Sequence, residues 1–101
     1  MSFNQDEFEI LRKIKKNPTA SQRKLATELG FSLGKLNYCL KALQKKGLVK
    51  AENFKKNPKK INYFYILTPT GLATKTKLTL NFMKKKMKEY DELKSEINTK
   101  E

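Results

Sequence analysis

Residues 21–49, SQRKLATELGFSLGKLNYCLKALQKKGLV, leave the chain little choice of local structure. Ser21 carries a hydroxyl able to accept from a free backbone N–H, so a helix starts there. Leu25, Ala26 and Leu29 then fall at i, i+1 and i+4 and make one apolar face. Gly30 supplies the left-handed conformation that ends a helix, and Phe31 plugs the corner. Ser32 is a second N-cap, followed by Leu33, Leu36, Leu40 and Leu43 at spacings of three, four and three. That spacing predicts a second helix whose leucine stripe faces a core. A join this short forces the two helices into a tight corner, a helix-turn-helix.

At about 100° per residue, Gly34, Tyr38, Lys41 and Lys45 lie opposite the leucine stripe, with Lys35 and Asn37 on its flank. A glycine near the helix start keeps that end slim. Lysine, asparagine and tyrosine bring the donors and acceptors that base edges and phosphates require. The competing reading is a merely solvated lysine face on a common structural motif.

Charge placement favours the first reading. The 101 residues hold 23 Lys and Arg against 10 Asp and Glu, a formal charge of +13. Residues 32–60 contain nine lysines against Glu52 alone, a local balance of +8, whereas residues 89–101 carry five acids and two lysines. A field concentrated on the second helix and its continuation suits a polyanion. No apolar run exceeds the five residues Tyr63 to Leu67, too few to span a bilayer.

Other chemistries find no support. The start, MSFNQDEF, is polar and acidic and lacks an apolar signal core, so a cytoplasmic protein is expected. One cysteine and no histidine exclude an intrachain disulfide, a zinc cluster and histidine acid–base catalysis. There is no glycine-rich phosphate loop or nucleophile elbow, and neither an enzyme nor a cofactor is expected. Cys39, at the edge of the leucine stripe, reads as a small buried hydrophobe; the alternative is an oxidant-sensing thiolate favoured by nearby lysines.

The rest of the chain fills in one mainly α domain with a small β element. Asn4 and Glu7 form a capping-box variant, Phe3 and Phe8 a hydrophobic staple, and Phe8, Ile10, Leu11 and Ile14 one side of a support helix stopped at Asn17-Pro18. After Lys46-Gly47, Leu48 to Phe54 runs into the bend Lys55-Lys56-Asn57-Pro58-Lys59-Lys60, and Ile61 to Leu67 returns as an aromatic, β-branched strand. Its tyrosines read as packing residues rather than base-stacking platforms.

Thr68-Pro69 opens a long helix, Pro69 to Asn98, of about 45 Å, longer than the domain before it is wide. Ala73, Thr76, Leu80, Met83, Met87, Tyr90, Lys94 and Ile97 alternate at three and four, a heptad seam broken by Lys94 and widened by Leu72, Phe82 and Leu93. The simplest partner for such a seam is a second copy of the chain. The expected division is therefore 1–68, a winged helix-turn-helix domain, and 69–101, a dimerisation helix.

This order of elements resembles the winged-helix regulators of the MarR family. The strings SQRKLATELGFSLGKLNYCLKALQKKGLVKAENF and YFYILTPTGLATKTKLTLNFMKKKMKEYDELKSEI are similar to those of the MarR-family EPS-associated transcriptional regulators, with SLGKLNYCLKAL and LTPTG the most specific pieces. The resemblance implies a bacterial, dimeric regulator of transcription that binds duplex DNA, with Ser32, Gly34, Lys35, Asn37, Tyr38 and Lys41 in the major groove. Ser21 and Gln22 at the preceding helix start and Lys55, Lys56, Lys59 and Lys60 in the wing complete the expected DNA-binding set. Wings of MarR proteins at large carry an Asp-x-Arg pair, absent here. Lysine has no planar fork, so phosphate clamping is expected of this wing instead of minor-groove readout. The larger relatives surround a small-molecule pocket with extra helices, and no such effector is expected for a chain with one C-terminal helix. A protein–protein module and an RNA-binding protein remain open alternatives for the same basic face.

Overall fold

The computed structural model describes residues 5–53 and 63–98. Element order is α1 (Gln5–Lys16), α2 (Gln22–Leu29), α3 (Leu33–Lys45), β1 (Val49–Asn53), β2 (Tyr63–Leu67) and α4 (Pro69–Asn98). The strands pair antiparallel in one two-stranded sheet, with Val49 opposite Leu67 and Asn53 opposite Tyr63. The capping box and staple at Phe3 and Asn4, the wing tip from Phe54 to Asn62 and residues 99–101 lie outside the described residues.

The two serine caps form as their sequence requires. Ser21 and Ser32 are both extended, and each accepts a hydrogen bond through Oγ from the backbone N–H three residues on, Lys24 and Lys35, at 3.1 Å. Gly30 sits at φ 73° and Gly47 at φ 75°. After α2, Gly30 N–H donates to Thr27 and Phe31 N–H to Ala26; after α3, Gly47 N–H donates to Gln44 and Leu48 N–H to Leu43. Both ends are therefore Schellman turns, in which a left-handed residue lets the chain satisfy the last helical carbonyls. Phe31 packs against the core from the first of them.

Ile10, Leu11 and Ile14 of α1 meet Leu25 of α2, Leu36, Leu40 and Leu43 of α3, and Val49 and Tyr65 of the sheet in one core. Leu33 departs from the expected stripe, being 46% exposed. It is the first residue of α3, one turn before the buried Leu36.

α4 is locked on at its start. Thr68 Oγ1 accepts from Gly71 N–H at 2.9 Å and donates to the Gly47 carbonyl at 2.6 Å, while Thr68 N–H donates to the Leu48 carbonyl at 3.0 Å. Gly71 is buried with its backbone against Leu48: a Cβ there would lie 1.9 Å from that carbonyl oxygen. Farther along, Leu78 packs on the core and Phe82 meets Phe8 with ring centroids 5.6 Å apart. Phe82 thus belongs to the face turned to the domain and does not widen the seam. At about 100° per residue the seam points roughly 150° away from Gly71, Leu78 and Phe82, so α4 carries two apolar faces, one used by its own domain. From Met83 onward every described side chain of α4 is exposed.

Candidate nucleic-acid interface

The leucine stripe fixes the rotation of α3 and thereby what faces outward. Gly34, Lys35, Asn37, Tyr38, Lys41 and Lys45 are all exposed, and Tyr38 is 78% accessible, a large ring the core does not use. A Cβ on Gly34 would meet nothing within 4 Å, so packing does not demand glycine there. Lys35 reaches back across the helix start, its Nζ 3.1 Å from Asp6 and 4.2 Å from the centre of the Phe31 ring. Both groups of the Lys35–Asp6 pair are substantially exposed, and an incoming phosphate competes for that ammonium at little cost. Ser21 and Ser32 spend their oxygen lone pairs on capping, which leaves each O–H able to donate outward.

Gln22, expected among the DNA-binding residues, is held by a bond within its own chain. Its Nε2 donates to the Tyr65 hydroxyl at 2.7 Å, a bond between the start of α2 and strand β2. The side chain braces the root of the wing. Tyr65 itself is buried, as the packing reading of the strand tyrosines requires. A second brace crosses the domain: Lys46, at the end of α3, places Nζ 2.7 Å from Oε2 of the buried Glu7 of α1. Neither pair has a local sequence signature, because the partners lie 43 and 39 positions apart. The wing lysines Lys55, Lys56, Lys59 and Lys60 lie outside the described residues; Lys50, on β1, is exposed and pairs with Glu52 at 3.3 Å.

Cys39 is buried among core residues, and its thiol is pushed above the usual range by that burial and by Asp6 and Glu7, against a smaller lowering by Lys35. Acidic neighbours on α1 outweigh the lysine. The environment is opposite to that of a reactive thiolate.

A slim, basic, outward-facing second helix followed by a two-stranded sheet decides the fold. It is a winged helix-turn-helix. Residues 7–50 match the family described as "Winged helix-turn-helix DNA-binding". No curated protein sequence matches the chain. Among solved structures it is similar to the PcaV transcriptional regulator from Streptomyces coelicolor, solved with its natural ligand, at TM-score 0.73 and 16% identity over 81% of this chain and 57% of that one. The zinc-responsive MarR family member ZitR of Lactococcus lactis gives 0.72 and 18% over 95% and 64%. Streptococcus pneumoniae FabT in complex with DNA gives 0.71 and 20% over 90% and 62%. The chain thus shares its fold with these three structures, and it spans less than two thirds of the length of each.

Two solvent-open clefts flank the junction of α1 and α4, one of about 420 Å³ beside Ile14, Pro18, Ile66 and Leu72 and one of about 410 Å³ beside Phe8, Leu78 and Phe82. Among the described residues no three His, Cys, Asp or Glu side chains group as a metal site, and no helix is long and apolar enough to cross a membrane.

Proposed function

We propose that this chain is a regulator of transcription that binds duplex DNA sequence-specifically as a homodimer. The observation that carries the reading is the outer face of α3, whose exposed Tyr38, Asn37, Lys35 and Lys41 do nothing for the core that holds the helix. The basic balance around it supports a polyanionic partner, and the FabT complex supports DNA as the polymer this fold takes. In this reading residues 1–68 bind DNA and residues 69–101 dimerise, through Ala73, Thr76, Leu80, Met83, Met87, Tyr90 and Ile97. Leu80, Met83, Met87, Tyr90 and Ile97 are each 52 to 79% exposed in the single chain, an apolar surface that supports a helical partner.

The division of labour follows from side-chain chemistry. Asn37 and Tyr38, with Gly34 letting the helix start approach, read base edges; Ser21, Ser32, Lys35 and Lys41 hold the flanking phosphates, and Lys55, Lys56, Lys59 and Lys60 clamp phosphates from the wing. Gln22 contributes by bracing the wing. The resemblance to EPS-associated regulators makes promoters near exopolysaccharide genes the first to try.

Selection of bound sites from random duplex DNA tests the reading. Two recognition helices related by a two-fold axis select an inverted repeat with half-sites about 34 Å apart. A motif without an inverted repeat refutes the dimeric reader. Equal binding of duplex DNA and RNA, with no sequence preference, supports the RNA-binding alternative, and capture of an acidic peptide in place of either supports the protein–protein one.

A further inference from the structure

The exposed seam of α4 has a charge pattern that prescribes how a second copy lies on it. Lys84, Lys85, Lys86 and Lys88 form a basic block on bare helix, followed at once by Glu89, Asp91, Glu92 and Glu96. Lys86 is occupied within its own chain, 3.6 Å from Glu89 and 5.3 Å from the Phe82 ring. Lys84 and Asp91, two turns apart on the same flank of the seam, have no ion-pair partner among the described residues of their own chain. With Met87 and Lys88 they border a shallow groove that runs along the helix.

We infer that two copies pair antiparallel along α4, Lys84 of each chain lying opposite the partner's Asp91. This rests on the homodimer reading above and adds its geometry. Antiparallel helices bring the same flank of each into contact, and the heptad layers then match Leu80 to the partner's Ile97, Met83 to the partner's Lys94 and Met87 to the partner's Tyr90. The basic block of each copy runs beside residues 89–93 of the other, where three of the five are acidic. Lys94, the seam's one charged residue, faces a methionine from near the helix end and extends its ammonium to water. A parallel pair instead sets Lys94 against Lys94 in the seam and lays the two basic blocks side by side. Slipping the antiparallel register by one heptad sets Lys84 against Lys84. Only the proposed register makes charge and apolar layers agree.

The same register spaces the two domains. Leu78, which ties each domain to its α4, falls 21 residues from its counterpart along the pair, about 30 Å at 1.5 Å per residue. That separation is close to the roughly 34 Å between successive major-groove faces of a duplex. A parallel pair gives no axial separation.

Disulfide capture in the full chain tests this. In a Cys39→Ala background, Leu80→Cys, Ile97→Cys and the double variant are oxidised with copper phenanthroline at a concentration where sedimentation shows each to be dimeric. Positions 80 and 97 lie about 25 Å apart on one helix, so any disulfide between them joins two chains. The antiparallel pair gives covalent dimer from the double variant and not from either single one. Efficient capture by a single variant, or by none while sedimentation still shows dimer, overturns the orientation; a chain that sediments as monomer at every concentration overturns the dimer reading itself. As a second measurement, Lys84→Glu weakens dimerisation on the order of tenfold by setting two pairs in repulsion, and adding Asp91→Lys restores it. Failure of that restoration overturns the register.

Discussion

Gly71→Ala should damage this protein far more than a glycine-to-alanine change in a helix ordinarily would. The added methyl would sit 1.9 Å from the Leu48 carbonyl oxygen, 2.8 Å from its carbon and 3.2 Å from its Cα, all of them backbone atoms that no rotamer change can move. Relief requires α4 to lift by more than an ångström. That strains two bonds anchoring it, Thr68 N–H to Leu48 O at 3.0 Å and Thr68 Oγ1 to Gly47 O at 2.6 Å, each worth about 1 kcal/mol net. Overpacking adds about 1–3 kcal/mol, and alanine's better helix propensity returns up to about 1 kcal/mol. A net loss of about 3 kcal/mol follows, roughly 12–24 °C in Tm for a domain of this size. Thermal unfolding by circular dichroism at one fixed chain concentration measures it, the fixed concentration removing any contribution from association. Gly34→Ala is the control: its Cβ meets nothing within 4 Å, so it should raise stability by up to about 1 kcal/mol while weakening DNA binding. If Gly71→Ala melts within about 2 °C of the parent, the close approach of α4 to Leu48 is not what holds the helix in place.

Cys39 should resist iodoacetamide at pH 7 to 8 and react only as the pH climbs beyond the ordinary thiol range. Burial, Asp6 and Glu7 all hold its proton on in the folded state. Since the folded value is raised, its share of stability is present below the unfolded thiol range and is lost as pH rises through the folded one; rapid alkylation of the folded protein at neutral pH would contradict this. Tyr65→Phe should cost about 1 kcal/mol, with Gln22→Ala adding nothing further on top of it. Additive losses in that double-mutant cycle would dismiss the brace. Glu7→Ala removes the buried carboxylate that accepts from Lys46 Nζ at 2.7 Å and should destabilise by about 2 kcal/mol in denaturant titration, with Glu7→Gln less harmful because it keeps an acceptor. Equal losses would mean the charge is irrelevant.

Elements that follow from a helix's own pattern were legible in the sequence. Ser21, Gly30 and Ser32 act within three residues of themselves, so the helix-turn-helix could be read from its punctuation, and Thr68-Pro69 placed the start of α4 in the same way. Leu33 and Phe82 were read differently because periodicity reports which residues share a face, while the neighbour that covers that face has its own length. Leu33 is half-exposed at the start of α3, and Phe8 reaches out to Phe82. Gln22 with Tyr65 and Glu7 with Lys46 are products of tertiary approach, as is the need for glycine at 71. Nothing within a few residues of any of them encodes the distance across which they meet.

Between strand β2 and α4 there is one residue, Thr68, and it is hydrogen-bonded to Gly47 and Leu48, in the turn between α3 and β1. The arm, the wing and the reading helix therefore share a single joint without slack. A one-residue insertion between Leu67 and Pro69 would put Thr68 out of register with the Gly47 and Leu48 carbonyls it bonds and loosen the seat of α4, while every residue of both halves stayed intact. If the chain binds as the proposed homodimer, length at this joint matters as much as any side chain, because it sets how the two half-sites are spaced and phased.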